Sequence, residues 1–138
     1  MQVEARSVAD RYYAGLRARD LDAVSATLAP DVRVEVPGAT FDGPDPFRGW
    51  MQAFFDAFPD IEHVVDRLDA HGSTAEADLR VTGTHTEPLV GPDGSIPPTG
   101  RRMELQAHNQ MEIRDGRITS VSIAYDPADF LRQLGLGP

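Results

Sequence analysis

The sequence predicts an α+β fold in which a curved, mixed or antiparallel sheet packs on three N-terminal helices and one short C-terminal helix. Three observations predict it. Apolar residues recur at helical spacing early in the chain, they alternate at strand spacing over most of the remainder, and the alternating stretches are joined in pairs by tight-turn residues. A sheet with helices on one side can bury its apolar face only against those helices, so the expected architecture is two layers around one core. Residues 1–138 are read as one domain, with no repeat, linker or low-complexity tract.

Ala5, Val8, Ala9, Tyr12 and Leu16 predict a first helix over residues 4–18. Asp20 reads as the N-cap of a second, with Leu21, Val24 and Leu28 on one face and Pro30 ending it. Val32, Val34 and Val36 alternate with Arg33 and Glu35, which is strand periodicity. A third helix is expected from Asp45-Pro46, a cap followed by proline in the first turn, and Pro59 closes it. Its stripe of Phe47, Trp50, Met51, Phe54 and Phe58 suits core packing and also one wall of an aromatic pocket.

Strands over 61–70 and 74–85 are expected to meet at His71-Gly72-Ser73. In the second, Ala75, Ala77, Leu79, Val81, Gly83 and His85 share one phase. Residues 87–101 contain Pro88, Gly91, Pro92, Gly94, Pro97, Pro98 and Gly100, and such a segment inside a compact chain reads as a functional flap. Met103, Leu105, Ala107, Asn109, Met111 and Ile113 then share one strand face, with Arg102, Glu104, Gln106, His108, Gln110 and Glu112 on the other. Asp115-Gly116 is a hairpin turn signal, and the returning strand runs from Ile118 to Tyr125 with Val121, Ile123 and Tyr125 in phase. Asp126-Pro127 opens a short last helix carrying Phe130, Leu131 and Leu134.

Composition removes several function classes. With 41% hydrophobic and 25% charged residues the chain is of ordinary globular type. A net charge of −9 repels phosphate backbones, so no nucleic-acid partner is expected. No apolar run approaches the ~20 residues of a membrane span, and Met1-Gln2-Val3-Glu4-Ala5-Arg6 lacks the basic-then-apolar pattern of a secretory signal. No membrane partner and a cytoplasmic location are therefore expected. The absence of cysteine excludes disulfides, thiolate metal sites and thiol nucleophiles. All 13 cations are arginine, and without lysine the chain offers no Schiff base. His63, His71, His85 and His108 show no pair at metal-ligand spacing, so no metal is expected. There is no nucleophile elbow, phosphate loop or dinucleotide fingerprint.

Five motifs in order carry a family resemblance: Asp56-Ala57-Phe58-Pro59-Asp60, Gly83-Thr84-His85-Thr86, Ile96-Pro97-Pro98-Thr99-Gly100-Arg101, Asp115-Gly116-Arg117-Ile118 and Arg132-Gln133-Leu134-Gly135. Over nearly its whole length the chain resembles the SnoaL-like polyketide cyclases of the NTF2-like superfamily. The resemblance implies an NTF2-like cone around a small-molecule pocket, with no cofactor. It implies a homodimer meeting through the outer sheet face of Gln106, His108 and Gln110. The implied chemistry is ring closure of an aromatic polyketide ester by proton abstraction and enolate stabilisation. An aspartate on the last strand is implied as the acid/base, with a helper histidine on the strand before. This chain has Ile123 at the first of those positions and Asn109 at the second. Ala107 stands where a glutamine is implied, and Val34 where the first strand has a polar residue. An isoleucine cannot carry a proton.

The catalytic candidates that remain are His85, Asn109 and Asp126. His85 is in phase with the apolar residues of its strand and suits a base, or a strand-end histidine bonded to the flap. Asn109 is the one polar residue on an apolar face, and suits a donor to a ligand carbonyl or enolate oxygen, or a structural hydrogen bond. Asp126 suits an acid/base at the pocket floor, or a helix N-cap. Trp50, Phe54, Tyr13, Val34, Met103, Leu105, Ala107, Ile123 and Tyr125 are expected to bind substrate. Periodicity does not place Glu35, Asp60, His63 or Tyr13 inside. The first function expected is a cyclase or isomerase of secondary metabolism acting on a bulky apolar carbonyl compound. The alternatives are a binding protein for a hydrophobic metabolite, and an epoxide hydrolase or accessory hydroxylase on the same fold.

Overall fold

The computed structural model describes residues 2–91 and 94–136, without the side chains of Gln2 and Val3. Met1 of the expected signal-free N-terminus and Pro92 of the expected flap lie outside the described residues. In chain order the elements are α1 (Gln2–Arg17), α2 (Leu21–Ala26), β1 (Leu28–Val36), β2 (Ala39–Asp42), α3 (Pro44–Ala57), β3 (Glu62–His71), β4 (Thr74–Thr84), β5 (Leu89–Gly91), β6 (Gly94–Ile96), β7 (Arg102–Arg114), β8 (Arg117–Ala124) and α4 (Pro127–Gln133). Six strands form one sheet in the order β2-β1-β8-β7-β4-β3. The β1–β8 pair is parallel and the other pairs are antiparallel. The sheet is therefore mixed, and the fold is an α+β cone.

Period-two burial explains why only one face of the sheet is covered. On β7, Met103, Leu105, Asn109, Met111 and Ile113 are buried while Glu104, Gln106 and Gln110 are exposed. The outer face instead carries polar pairs: Arg67 with Asp69 along β3 and, across strands, Arg67 with Asp78, Arg80 with Asp66, and His108 hydrogen-bonded to Asp78 at 2.8 Å. These half-exposed pairs add little net stability, but they keep that face wet. The inner face packs on α1, through Val8, Ala9, Tyr12 and Leu16, and on α3, through Phe47, Met51 and Phe55.

Both capping readings at α2 and α4 hold. Asp20 accepts a hydrogen bond from the Ala23 N–H at 3.1 Å, and Asp126 accepts from Ala128 and Asp129. Other boundaries differ from the sequence reading. α2 ends at Ala26, not at Pro30, because the Thr27 carbonyl accepts from the Ile118 N–H at 2.8 Å and the chain joins the sheet there. Leu28 thus opens β1 rather than closing a helix. α3 starts at Pro44 after Gly43, whose φ of 89° is the left-handed conformation that glycine tolerates, so Asp45 is a first-turn residue and not the cap. The sequence reading missed β2 and the β5–β6 hairpin inside the flap segment, since these strands are short and mostly exposed and carry no alternation.

Two details fix the helices to the sheet. The Gln133 side chain accepts from the Glu104 N–H at 2.7 Å and donates to the Glu104 carbonyl at 2.9 Å, so α4 completes the β7 edge where β8 has stopped. Gly15 lets α2 approach α1, since a Cβ there would lie 2.8 Å from Val24 Cγ2 and 3.0 Å from the Val24 nitrogen. Gly15→Ala is expected to destabilise the protein by about 1–3 kcal/mol in urea unfolding, although alanine is the better helix former.

Candidate functional site

The sheet is wider than α1 and α3 can cover, and the uncovered strip is a cavity of about 90 Å³ that opens to solvent. An apolar hollow with a few polar groups is the usual form of a small-molecule site. α1 contributes Tyr12 and Leu16, and α3 contributes Phe47, Trp50, Met51, Phe54 and Phe55. Ile61 enters from just before β3 and His63 from its start, Leu79 and Val81 from β4, and Met103, Leu105, Ala107 and Asn109 from β7. Ile123 and Tyr125 close the wall. Trp50 packs edge-on to Phe54 at 5.0 Å between ring centroids, and both are half-buried because one side of each faces the hollow.

Eight sequence-predicted residues line this cavity: Trp50, Phe54, Met103, Leu105, Ala107, Asn109, Ile123 and Tyr125. Tyr13 and Val34 are buried but are not among the lining residues. Tyr13 is instead the partner of Asn109, which is 4% exposed and donates from Nδ2 to the Tyr13 hydroxyl at 2.8 Å. Asn109 Oδ1 has no partner. Turning the amide over would let the Tyr13 hydroxyl donate to Oδ1 and leave the NH2 group open instead. In either orientation one polar group of Asn109 is free on the wall.

His85 and Asp126 are not in the cavity wall, which corrects their reading as pocket groups. His85 is fully buried behind the wall, its ring stacked on Phe58 at 5.2 Å. Its Nδ1 lies 3.1 Å from the Thr99 hydroxyl and accepts from the Thr99 N–H at 3.3 Å, so the proton sits on Nε2. Its backbone bonds Gly100 and Arg101, and burial pushes its pKa down. His85 therefore anchors the base of the flap. Asp126 is exposed and spends its carboxylate on the α4 cap. Asp60 is likewise a backbone acceptor, for the Thr84 N–H at 2.7 Å, which holds its carboxyl below the usual range.

The histidine that does line the cavity is His63, which periodicity left outside. The reason is a β-bulge. Val65 pairs with Leu79 and Arg67 with Asp78, so the alternation shifts at Asp66. Val65 and His63 thereby share the inner face with Leu68 and Ala70 despite their odd spacing. The readable signal was the partner strand: His63 pairs with Val81, whose phase is clear. The His63 ring meets Phe55 edge-on at 5.9 Å. Burial, then the nearby Arg19 charge, lowers its pKa from 6.5 to about 4, so the imidazole is neutral at neutral pH. Burial also raises the pKa of Tyr12, Tyr13 and Tyr125, which keep their protons. Among the described residues, no aspartate or glutamate lines the cavity.

Residues 9–121 match the family model for the SnoaL-like domain. The fold is similar to the crystal structure of a candidate SnoaL-like polyketide cyclase from Jannaschia sp. CCS1, at 18% identity and TM-score 0.85 over 99% of this chain and 95% of that one. It is similar to AclR, a candidate hydroxylase from Streptomyces galilaeus, at 21% identity and TM-score 0.84 over 100% of both chains. It is also similar to IdmH, a candidate polyketide cyclase from Streptomyces antibioticus, at 26% identity and TM-score 0.79 over 95% of this chain and 98% of that one. No curated protein sequence matches significantly.

The buried histidine sets a pH dependence. Unfolded, His63 takes a proton near 6.5, but folded it resists until about 4, so the unfolded state binds more protons between these values. Stability is expected to fall as pH drops from about 6.5 to about 4, with His85 acting in the same direction. Urea unfolding across that range should show a shallower pH slope for His63→Gln than for wild type. Asp126→Ala is expected to cost about 1 kcal/mol in the same assay through loss of the cap.

Proposed function

The chain belongs to the SnoaL-like family, and from that premise we propose that it is a cofactor-free cyclase or isomerase of secondary metabolism. Its substrate is a bulky, apolar, polyketide-like carbonyl compound, and its reaction is proton abstraction from carbon with stabilisation of the enolate. The observation that carries this reading is the neutral imidazole of His63 in a largely apolar wall. With Ile123 in place of the implied aspartate, His63 is the group in the cavity free to accept a proton.

In the proposed step the carbon–hydrogen bond next to a carbonyl breaks, its electron pair moves onto the carbonyl oxygen, and the proton passes to an imidazole nitrogen of His63. The same proton then returns, to a different carbon in an isomerisation or to the new alkoxide in a ring closure. A pKa of about 4 makes His63 a weak base. Bases of similar strength abstract carbon-bound protons where hydrogen-bond donors hold the enolate, as ketosteroid isomerase does. The protonated hydroxyls of Tyr12 and Tyr125 are the donors proposed here. Asn109 serves a different part of the ligand. His63 stands in one row of the sheet with Val81 and Leu105, and Asn109 lies four residues farther along β7, roughly 13 Å at strand spacing. The amide is proposed to fix a second, distal carbonyl. The proposal extends to a homodimer through the outer sheet face, as the family resemblance implies. Among the described residues no helix is long and apolar enough to cross a membrane.

A second reading is a carrier that binds such a molecule without changing it. It is favoured by the cavity wall itself, which among the described residues has no carboxylate and has Ile123 and Ala107 at positions where the resemblance implies polar groups. An aromatic polyketide offered both as methyl ester and as free acid, followed by chromatography with mass detection, separates the two. Turnover to a product of unchanged mass, reduced about 10²–10⁴-fold in His63→Ala, is the expected result. Since His63 is neutral above about 4, kcat/KM should be flat from pH 8 to pH 5. Saturable binding with no product would establish the carrier instead.

A further inference from the structure

The cavity is electrically uneven. At the Asn109 end the polar group on the wall is a neutral carboxamide, backed by the protonated Tyr13 hydroxyl behind it. At the His63 end a cation stands on the rim. Arg19 follows α1 in a left-handed conformation (φ 59°), and this turn carries its side chain back over the cavity wall. The guanidinium carbon lies 5.5 Å from the centroid of the Phe55 ring, and Nη1 donates to the Ile61 carbonyl at 3.4 Å. Phe55 and Ile61, like His63, line the cavity.

Arg19 is also unspent. The chain has 22 acidic residues against 13 arginines, yet among the described residues no ion pair includes Arg19. A guanidinium has five N–H donors, and one bond to a backbone carbonyl leaves the rest available. A cation–π contact with an aromatic face consumes none of these donors, so they stay available to a planar acceptor. The charge is felt inside the cavity, where it ranks second to burial in holding the His63 imidazole neutral.

We propose that the His63 end of the cavity is an anion subsite in which Arg19 holds the carboxylate of an otherwise apolar ligand, so that the preferred substrate is a free acid and not its ester. The proposal rests on the reading of the cavity as the ligand site and deepens it. Two parallel N–H···O bonds match a carboxylate to a guanidinium. Because Arg19 is exposed, the carboxylate keeps part of its hydration while the rings enter the apolar hollow, so no charge has to be buried bare. A carboxylate held there also favours the imidazolium that His63 becomes on accepting a proton.

The test is isothermal titration of the whole protein with 2-naphthoic acid and with methyl 2-naphthoate at neutral pH and low salt. Wild type is expected to bind the acid about tenfold more tightly than the ester. Arg19→Gln should bring the acid down to the ester's affinity and leave the ester unchanged, which also shows that the cavity is intact. Arg19→Lys should keep part of the preference. Equal affinities in wild type, or a preference that survives Arg19→Gln, would overturn the anion subsite while leaving the cavity as an apolar binding site. Binding of neither compound would overturn both readings together. Should Arg19→Gln fail to fold, the comparison of acid with ester in wild type decides the matter.

Discussion

Eleven consecutive residue pairs, from Thr74–Glu112 to Thr84–Arg102, join β4 to β7 without interruption, and the rest of the structure is hung on that ladder. Because pairing is unbroken, every inward residue of β4 meets an inward residue of β7, and the two strands present one continuous apolar strip. β3 and β8 extend it on either side, each with a register shift that bends the sheet. A bent sheet encloses a hollow that flat helices cannot fill. α1 seals one part with Tyr12, Tyr13 and Leu16, and α3 leaves Trp50 and Phe54 half-buried over the remainder. The cavity is thus what remains when two helices cover a surface curved by bulges.

The apolar wall decides the charge state of everything in it. Burial is the largest influence on Tyr12, Tyr13, Tyr125 and His63, and in each case it favours the uncharged form. The titratable groups inside the hollow are therefore uncharged, and Arg19 at the rim is the cation that acts on His63. Two buried polar side-chain atoms near this region lack partners, Asn109 Oδ1 and His85 Nε2. Asn109 belongs to the cavity wall, where a ligand group can meet its amide, while the other ring nitrogen of His85 anchors the flap.

Where one physical rule acted alone, the elements were legible. Asp20 and Asp126 cap helices because a carboxylate next to the chain's first free N–H groups has few competing partners. β4 and β7 alternate cleanly because each has one wet and one dry face. Errors came where two rules competed. Leu28 fits a helical face and a strand equally well, and the parallel partner β8, distant in sequence, settled the choice. Gly43 and Asp45 both suit a helix start, and a positive φ that only the fold demands selected Gly43.

The sequence by itself determined the layers, the inner face of β7, the α3 aromatic stripe and about half of the pocket lining, since each depends on the spacing of neighbouring residues. Only the tertiary structure decided which polar groups reach the cavity. His85 shares the phase of Leu79 and Val81, but it lies past the end of β4 and turns under the flap. His63 breaks the phase of its strand, and a bulge at Asp66 returns it to the inner face. Arg19 belongs to a helix terminus and reaches the rim through a single left-handed residue. A bulge, a strand end and a left-handed turn each displace a side chain by one position or one bend. These displacements are set by contacts between segments far apart in the chain, and local periodicity carries no record of them.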